Sequence, residues 1–306
     1  MDFLFIVLGW LLVVGGARRF QVEVSHYGIH YRIFKVKILN RVLVELVSTV
    51  FCVQDWNGYW EDHIQGHHKG DVFCGPNDAD WKFLQRLGLR AGMSRRACWY
   101  WLFTTALSPA FHIIFFATRL KANFVSPSVW RKLMAIVWWA GLLTAVNSLD
   151  VWFYFAIFWL VPLTVLYQIS ALVQFTSEHF WGAPFIEGES ARTRQARLSH
   201  ARYCLSPLPD RADYASTASF ILGLVLWVGV TLVVDVPARI ACIVGDLPVH
   251  DRHHRFAGDE RWAEAMYRPE EDGALKSAES WGLISALNSV FDHISSLPED
   301  APSGKR

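Results

Sequence analysis

Charge and paired cysteines are both scarce in this sequence. Asp, Glu, Lys and Arg make up only 19% of the 306 residues and the net charge is +1, against about 25% charged residues in an average soluble domain. Such a balance gives no sign of a nucleic-acid partner. The five cysteines (Cys52, Cys74, Cys98, Cys204, Cys242) are odd in number and form no CxxC pair. Neither a disulfide framework nor a zinc-thiolate site follows from them. Glycine-rich dinucleotide fingerprints, the haem-attachment CxxCH and iron–sulfur cysteine sets are missing too. The zincin signature HExxH is also absent, because Tyr27 follows His26 and Ile64 follows His63.

Apolar residues fill the space that charge leaves. The chain is 53% hydrophobic and 15% aromatic, with fifteen tryptophans. Its long apolar runs cover 3–17, 98–118, 133–146, 151–173 and 220–234. A membrane-crossing helix needs about 20 apolar residues, with roughly 17 as the lower limit. Residues 151–173 exceed that, and the others read as short, tilted or incomplete spans. The fold class is therefore all-α, a polytopic integral membrane protein. The first run lacks a basic segment before it, and Arg18 and Arg19 follow it; it reads as a retained anchor with its N-terminus outside. From Phe256 the chain turns polar and acidic (Asp259, Glu260, Glu264, Glu270, Glu271, Asp272). Two regions are expected: a membrane-embedded part, 1–255, and a polar cytoplasmic tail, 256–306, whose end "PEDAPSGKR" is disordered.

Nine of the twelve histidines fall in four groups at the ends of apolar segments. They are "SHYGIH" (His26, His30), "EDHIQGHHKGD" (His63, His67, His68), "TSEHFWG" (His179) and "VHDRHH" (His250, His253, His254). Positions i, i+3 and i+4 share a helical face, which pairs His26 with His30, pairs His63 with His67, and unites the last three. His68 is turned from His67 by about 100°, so neighbouring histidines can serve two different ions. Ionisable groups near a membrane are unfavourable and mark function; four such groups point to one shared site. His112, beside Pro109, reads as a satisfied buried histidine, and His200 and His293 as surface residues. Imidazole suits zinc, copper, iron and nickel. A zinc site takes four ligands, whereas nine imidazoles divided between two irons leave positions open for dioxygen. Asp62, Asp71, Glu178 and Asp251 are candidates to orient the histidines by accepting their second ring proton.

A shared site puts all four groups on one side of the membrane. The stretch 41–53 is then a helix dipping partway in, and 98–118, broken by Pro109, is interfacial or re-entrant. Runs 133–146 and 151–173 form a hairpin about "NSLD" (147–150). The run 220–234 lies at the interface, dips and returns, or pairs with 236–245 across a break at Asp235 and Pro237. Arg119, Lys121, Arg131 and Lys132 precede the hairpin, and Arg192, Arg194, Arg197 and Arg202 follow it. Lys/Arg excess marks the cytoplasm, so the histidines belong there.

The order HxxxH, a cluster ending in HH about thirty residues on, and HxxHH far downstream resembles the membrane-bound fatty acid desaturase and hydroxylase superfamily over roughly residues 20–256. "WEDHIQGHHKGD...NDAD" is similar to the second histidine box of acyl desaturases, and "SEHFWG" to the segment that adds a histidine between boxes two and three. This chain departs in reading "HHRFAG" after the third box and in having Phe175 where an asparagine is common. The resemblance implies a cytoplasmic histidine-box cap holding two non-haem iron ions through His26, His30, His63, His67, His68, His179, His250, His253 and His254, supported by Asp62, Glu178 and Asp251. It also implies an acyl lipid or acyl thioester substrate, O2, and an electron donor of the ferredoxin, rubredoxin or cytochrome type, at a bacterial inner membrane. The basic stretch 192–211 can dock such a donor. Aromatic residues at 98–101 and 138–139 are candidates to line an alkyl slot. Desaturation is the leading reaction. Alkane ω-hydroxylases share the "EH" at 178–179 and the spaced "HIQGHH", so hydroxylation is the alternative. A metal transporter would instead carry its histidines within the crossing segments.

Overall fold

The computed structural model describes residues 3–256, 258–259, 261–267 and 278–299; the expected disorder of the last residues falls, for 300–306, outside that set. Helix α1 (Phe3–Ile29) runs 27 residues. Within it Phe20–Ser25 is a π-helix, in which hydrogen bonds skip from i to i+5. The short α2 (Lys37–Phe51) folds back against α1, and the buried Asn40 closes the connection by accepting from Ile33 N and Phe34 N and donating to Phe34 O. Next come α3 (56–67), α4 (Ala79–Arg86), α5 (Arg95–Ala106) and α6 (Pro109–Phe124). The long helices α7 (Val129–Ser148) and α8 (Trp152–Glu178) form the expected hairpin, turning at Asp150, whose φ is 52°.

Helices α5 and α6 meet at 66°. The break falls where Pro109 takes the first position of α6 and the Ser108 hydroxyl caps Phe111 N. Proline is suited there because a first-turn N–H has no helical partner to lose.

Two buried arginines inside the apolar region serve the backbone and side chains around them. The C-terminal end of α2 leaves carbonyls that need donors. Arg119 of α6 supplies them: Nε to Cys52 O at 3.0 Å, Nη2 to Phe51 O at 2.5 Å and Nη1 to Leu163 O at 2.5 Å. Arg131 is likewise tied to Glu45, Ser48 and Asn123. Several cations in the charge pattern around the hairpin are thus internal clamps.

Beyond α8 lie α9 (Ala191–Leu198), β1 (His200–Tyr203), α10 (Thr217–Ala241), α11 (His250–Arg255), β2 (Ala278–Trp281) and α12 (Leu283–Ser296). Helix α10 continues through Pro237, so the expected break at Asp235 and Pro237 does not occur. A π-turn at Thr231–Asp235 precedes the proline and loosens the ladder that Pro would otherwise interrupt. The chain before α10 runs back along it. Ser206 N and Oγ donate to Asp235 Oδ2, Trp227 Nε1 donates to Ser206 O, and Arg211 stands 6.0 Å over the Phe220 ring. Residues 206–241 therefore form a hairpin with one extended leg and one helical leg, and both ends return to the histidines.

Four helices among the described residues (α1, α7, α8, α10) are long and apolar enough to cross a membrane, or five spans if α5 and α6 count as one. The fold is an all-α membrane architecture, and among the described residues the only sheet is the two-stranded parallel pair β1–β2 (His200 opposite Ala278). The polar stretch that the sequence sets apart as a tail contributes to the core. Leu283, Leu287, Val290, Phe291 and Ile294 of α12 pack with Phe73, Leu84, Cys98 and Trp181. His200, read as a surface residue, is buried because β1 lies beneath these elements.

Candidate metal centre

The four histidine groups converge although they come from four separate elements. In the first cluster, His63 Nε2 lies 2.9 Å from both His26 Nε2 and His68 Nε2, and His68 Nε2 lies 3.0 Å from His253 Nε2. His30 completes it, its ring 4.5 Å from that of His253 and its buried Nε2 without a hydrogen-bond partner among the described residues. In the second, His67 Nε2 is 3.3 Å from His179 Nε2, and His254 Nε2 is 3.0 Å from His250 Nε2. Glu178 Oε1 reaches His250 Nε2 at 3.2 Å and His179 Nε2 at 3.4 Å.

The division follows from backbone geometry. Glu61–His67 is a π-helix, and His68 N donates to His63 O at 2.9 Å. This i→i+5 turn superposes His63 and His68, where an α-helix would pair His63 with His67. The expected pairing of His63 with His67 is corrected accordingly: His67 turns to the other cluster. Likewise His253 joins the first cluster while His250 and His254, an i,i+4 pair, join the second. His26 and His30 stay together as their spacing predicts.

Burial, with repulsion from neighbouring histidines, holds His63, His68, His253 and His254 well below the usual imidazole range. Burial also pushes His30 down to about 4 and His179 to about 3. These rings are neutral and keep lone pairs for an ion. His67 behaves differently. Burial opposes its charge, but the Asp78 carboxylate, 2.9 Å from Nδ1, raises it to about 9. An ion at Nε2 would replace that proton while Asp78 keeps the Nδ1–H, the usual carboxylate–histidine–metal chain.

Donor atoms 2.0–2.1 Å from an ion sit about 3.0 Å apart on adjacent octahedral positions and about 4.2 Å apart on opposite ones. The ligand atoms of His26, His30, His63, His68 and His253 all lie within 4.8 Å of one another, and so do those of His67, Glu178, His179 and His254. Both sets fit a metal ion.

The surrounding residues differ from expectation in part. Asp62 is exposed and accepts from Gln54 at 2.6 Å, and Asp251 is paired with Arg255 at 2.9 Å. Asp71 is exposed. Glu178 instead faces the second cluster directly, and Asp78 is the buried carboxylate that orients a histidine. Asp78 is the first aspartate of the quoted "NDAD", and it also caps α4 by accepting from Asp80 N. Trp262, which sequence reasoning missed, closes over the first cluster 4.2 Å from the His253 ring, and its indole donates to Asp246. His112 has both ring nitrogens satisfied, by Gln168 and Ala106 O.

One cavity adjoins the centre, and a second lies among the membrane-length helices. The first, about 120 Å³, is lined by His26, His63, Glu178, His250, Tyr59 and Arg18 among others. The second, about 220 Å³ and apolar, lies among Phe51, Phe116, Trp139, Trp159, Leu160 and Leu163. Tyr167 stands between them: Arg18, from the first wall, and Arg119, from the second, both stand over its ring, at 5.2 and 4.6 Å. Trp139 thus lines an apolar slot as expected. Trp99 and Trp101 do not; they are anchored to Asn288 and Leu87 O beside the core that contains α12.

Membrane-length helices closed by two adjoining histidine clusters define a class of integral membrane protein with sites compatible with metal binding. The chain belongs to the fatty acid desaturase family, which it matches over residues 2–212, more than two thirds of its length. That match stops before His250, His253 and His254, which the fold brings to the same place. No curated protein and no solved structure matches the chain. Membership makes the protein an oxidoreductase of the desaturase/hydroxylase type, with a lipid as the general class of substrate.

Proposed function

We propose that the protein is a non-haem diiron oxidoreductase that introduces a double bond into a fatty acyl chain, using O2 and electrons from a separate carrier. The observation that carries this reading is the pair of adjoining clusters, five imidazoles in one and His67, His179 and His254 with Glu178 in the other, with His250 against His254 and Glu178. His26, His30, His63, His68 and His253 hold one iron, and His67, His179, His250, His254 and Glu178 the other. When bound, the iron pair supplies activation of dioxygen and removal of hydrogen from an unactivated C–H bond. The chain's own residues do the rest. Burial keeps His30, His63, His68, His179, His253 and His254 neutral, Asp78 fixes the His67 tautomer, and the apolar slot beside Trp139 and Trp159 holds the alkyl chain in place.

The electron carrier is of the ferredoxin, rubredoxin or cytochrome type, and the centre faces the cytoplasm of a bacterial inner membrane. The exposed Lys121, Arg192 and Arg197 support that orientation. Expression in iron-replete medium followed by metal and lipid analysis tests the whole reading. Two irons per chain and a product lighter by two hydrogens are expected. One zinc and no iron would end the diiron reading. A product heavier by one oxygen would assign hydroxylation on the same scaffold.

A further inference from the structure

Arg18 sits on α1 eight residues before His26, and both line the cavity beside the histidine clusters. It is 2% exposed. Its Nη1 donates to Gln21 Oε1 at 3.0 Å, and its guanidinium stands 5.2 Å from the Tyr167 ring centroid. Nε and Nη2 have no hydrogen-bond partner among the described residues. Other buried arginines are better satisfied. Arg119 donates to three backbone carbonyls, as does Arg194, and Arg131 reaches Glu45, Ser48 and Asn123. Among the described residues, no other buried arginine leaves both Nε and Nη2 open.

Those two nitrogens form one edge of the guanidinium. Their N–H bonds run side by side and match the two oxygens of a carboxylate. Leaving a cation buried without a counter-charge is strongly unfavourable, and the acids in the cavity wall are occupied. Asp62 accepts from Gln54 at 2.6 Å, Glu178 accepts from Gln174 at 2.9 Å and faces His179 and His250, and Asp80 lies 3.9 Å from His67. No acid in the cavity wall is bonded to the open edge of Arg18 among the described residues.

We propose that this cavity receives the carboxylate of a free fatty acid, clamped by the Nε–Nη2 edge of Arg18. The inference rests on the proposed function in taking a fatty acyl substrate, and it names the form: an unesterified acid in preference to a thioester or lipid ester. An ester carbonyl brings no charge to balance the guanidinium. A tail that passes the Tyr167 ring would reach the apolar cavity on its Arg119 side. Because Arg18 and His26 share one cavity, the carbons presented to the centre are those near the carboxyl end.

Equilibrium binding to the iron-loaded, detergent-solubilised protein tests this with three short probes: octanoate, methyl octanoate and octanol. Octanoate should bind at least about tenfold more tightly than either neutral probe, as expected for charge-assisted hydrogen bonds. Arg18→Gln should erase that preference with iron content unchanged, and Arg18→Lys should retain part of it. Equal binding of octanoate and methyl octanoate to the wild type overturns the proposal; it is the result expected of an arginine satisfied by water alone. An Arg18→Gln variant that still prefers octanoate also overturns it. If Arg18→Gln fails to fold, the wild-type comparison and Arg18→Lys decide. Two irons and an oxidised product without any carboxylate preference refute the clamp and leave the oxidoreductase reading standing. A carboxylate preference without iron does the reverse.

Discussion

Glu178 Oε1 lies 3.2 Å from His250 Nε2, joining the end of α8 to the start of α11 through one carboxylate. The same oxygen is 3.4 Å from His179 Nε2. Glu178 therefore sits where a ligand of the second ion would sit. Glu178→Gln keeps the volume and removes the charge, and iron should fall from two toward one per chain by elemental analysis. Two irons retained in this variant would reduce Glu178 to a neighbour of the centre.

Asp78 acts on the same ion through His67. Asp78→Asn preserves the cap on α4 but withdraws the negative charge from Nδ1. Loss of such an orienting carboxylate weakens metal binding by about 10–100-fold. A Co(II) titration of the metal-free protein should show one weakened and one unchanged site; two unchanged sites would show that Asp78 serves only the fold.

His179 and His200 separate ligation from packing. His179→Ala should abolish activity and lower iron while leaving membrane insertion intact, as should His253→Ala. His200, buried against the Phe180 ring at 4.9 Å, should behave differently. His200→Ala is expected to lower stability by about 1–2 kcal/mol, typical of a buried truncation, with iron stoichiometry preserved in the folded fraction. Loss of iron from folded His200→Ala protein would place it in the centre after all.

Sidedness can be read by labelling introduced cysteines with a membrane-impermeant thiol reagent in intact cells. Four of the native cysteines are buried and Cys242 is half-buried, so background should be low. Leu149→Cys, at the exposed turn between α7 and α8, should label, whereas Asp71→Cys and Gly258→Cys should not. Gly70 is unsuitable as a probe because Ala191 packs directly against it. Labelling at Asp71→Cys or Gly258→Cys would reverse the orientation.

Much of this architecture is legible in the residues, because a membrane demands long apolar runs and a metal centre demands clustered imidazoles. Eight of the nine grouped histidines fall into the two ligand sets and His250 touches the second, and the hairpin and the break at Pro109 lie where the runs predict. What escapes is whatever depends on helix phase or distant packing. A π-turn leaves no mark in a 3.6-residue periodicity, so the exchange of His67 for His68 beside His63 is invisible until the backbone is seen. His200 lies in a short polar stretch with nothing local to signal that β2 will cover it. The α12 helix was legible in principle. Its Leu283, Ala286, Leu287, Val290, Phe291 and Ile294 form an i, i+3, i+4 stripe within a region whose acidic composition outweighs it.

Trp262 ties the first cluster to a segment that carries none of its histidines. Its ring is fully buried, lies 4.2 Å from His253 and 5.8 Å from both His26 and His30, and belongs to a stretch that follows every histidine of the centre. The indole is held from outside the cluster, by its N–H on Asp246 and its ring against Tyr27. A substitution at Trp262 would therefore change the surroundings of the first cluster and leave its set of ligands intact.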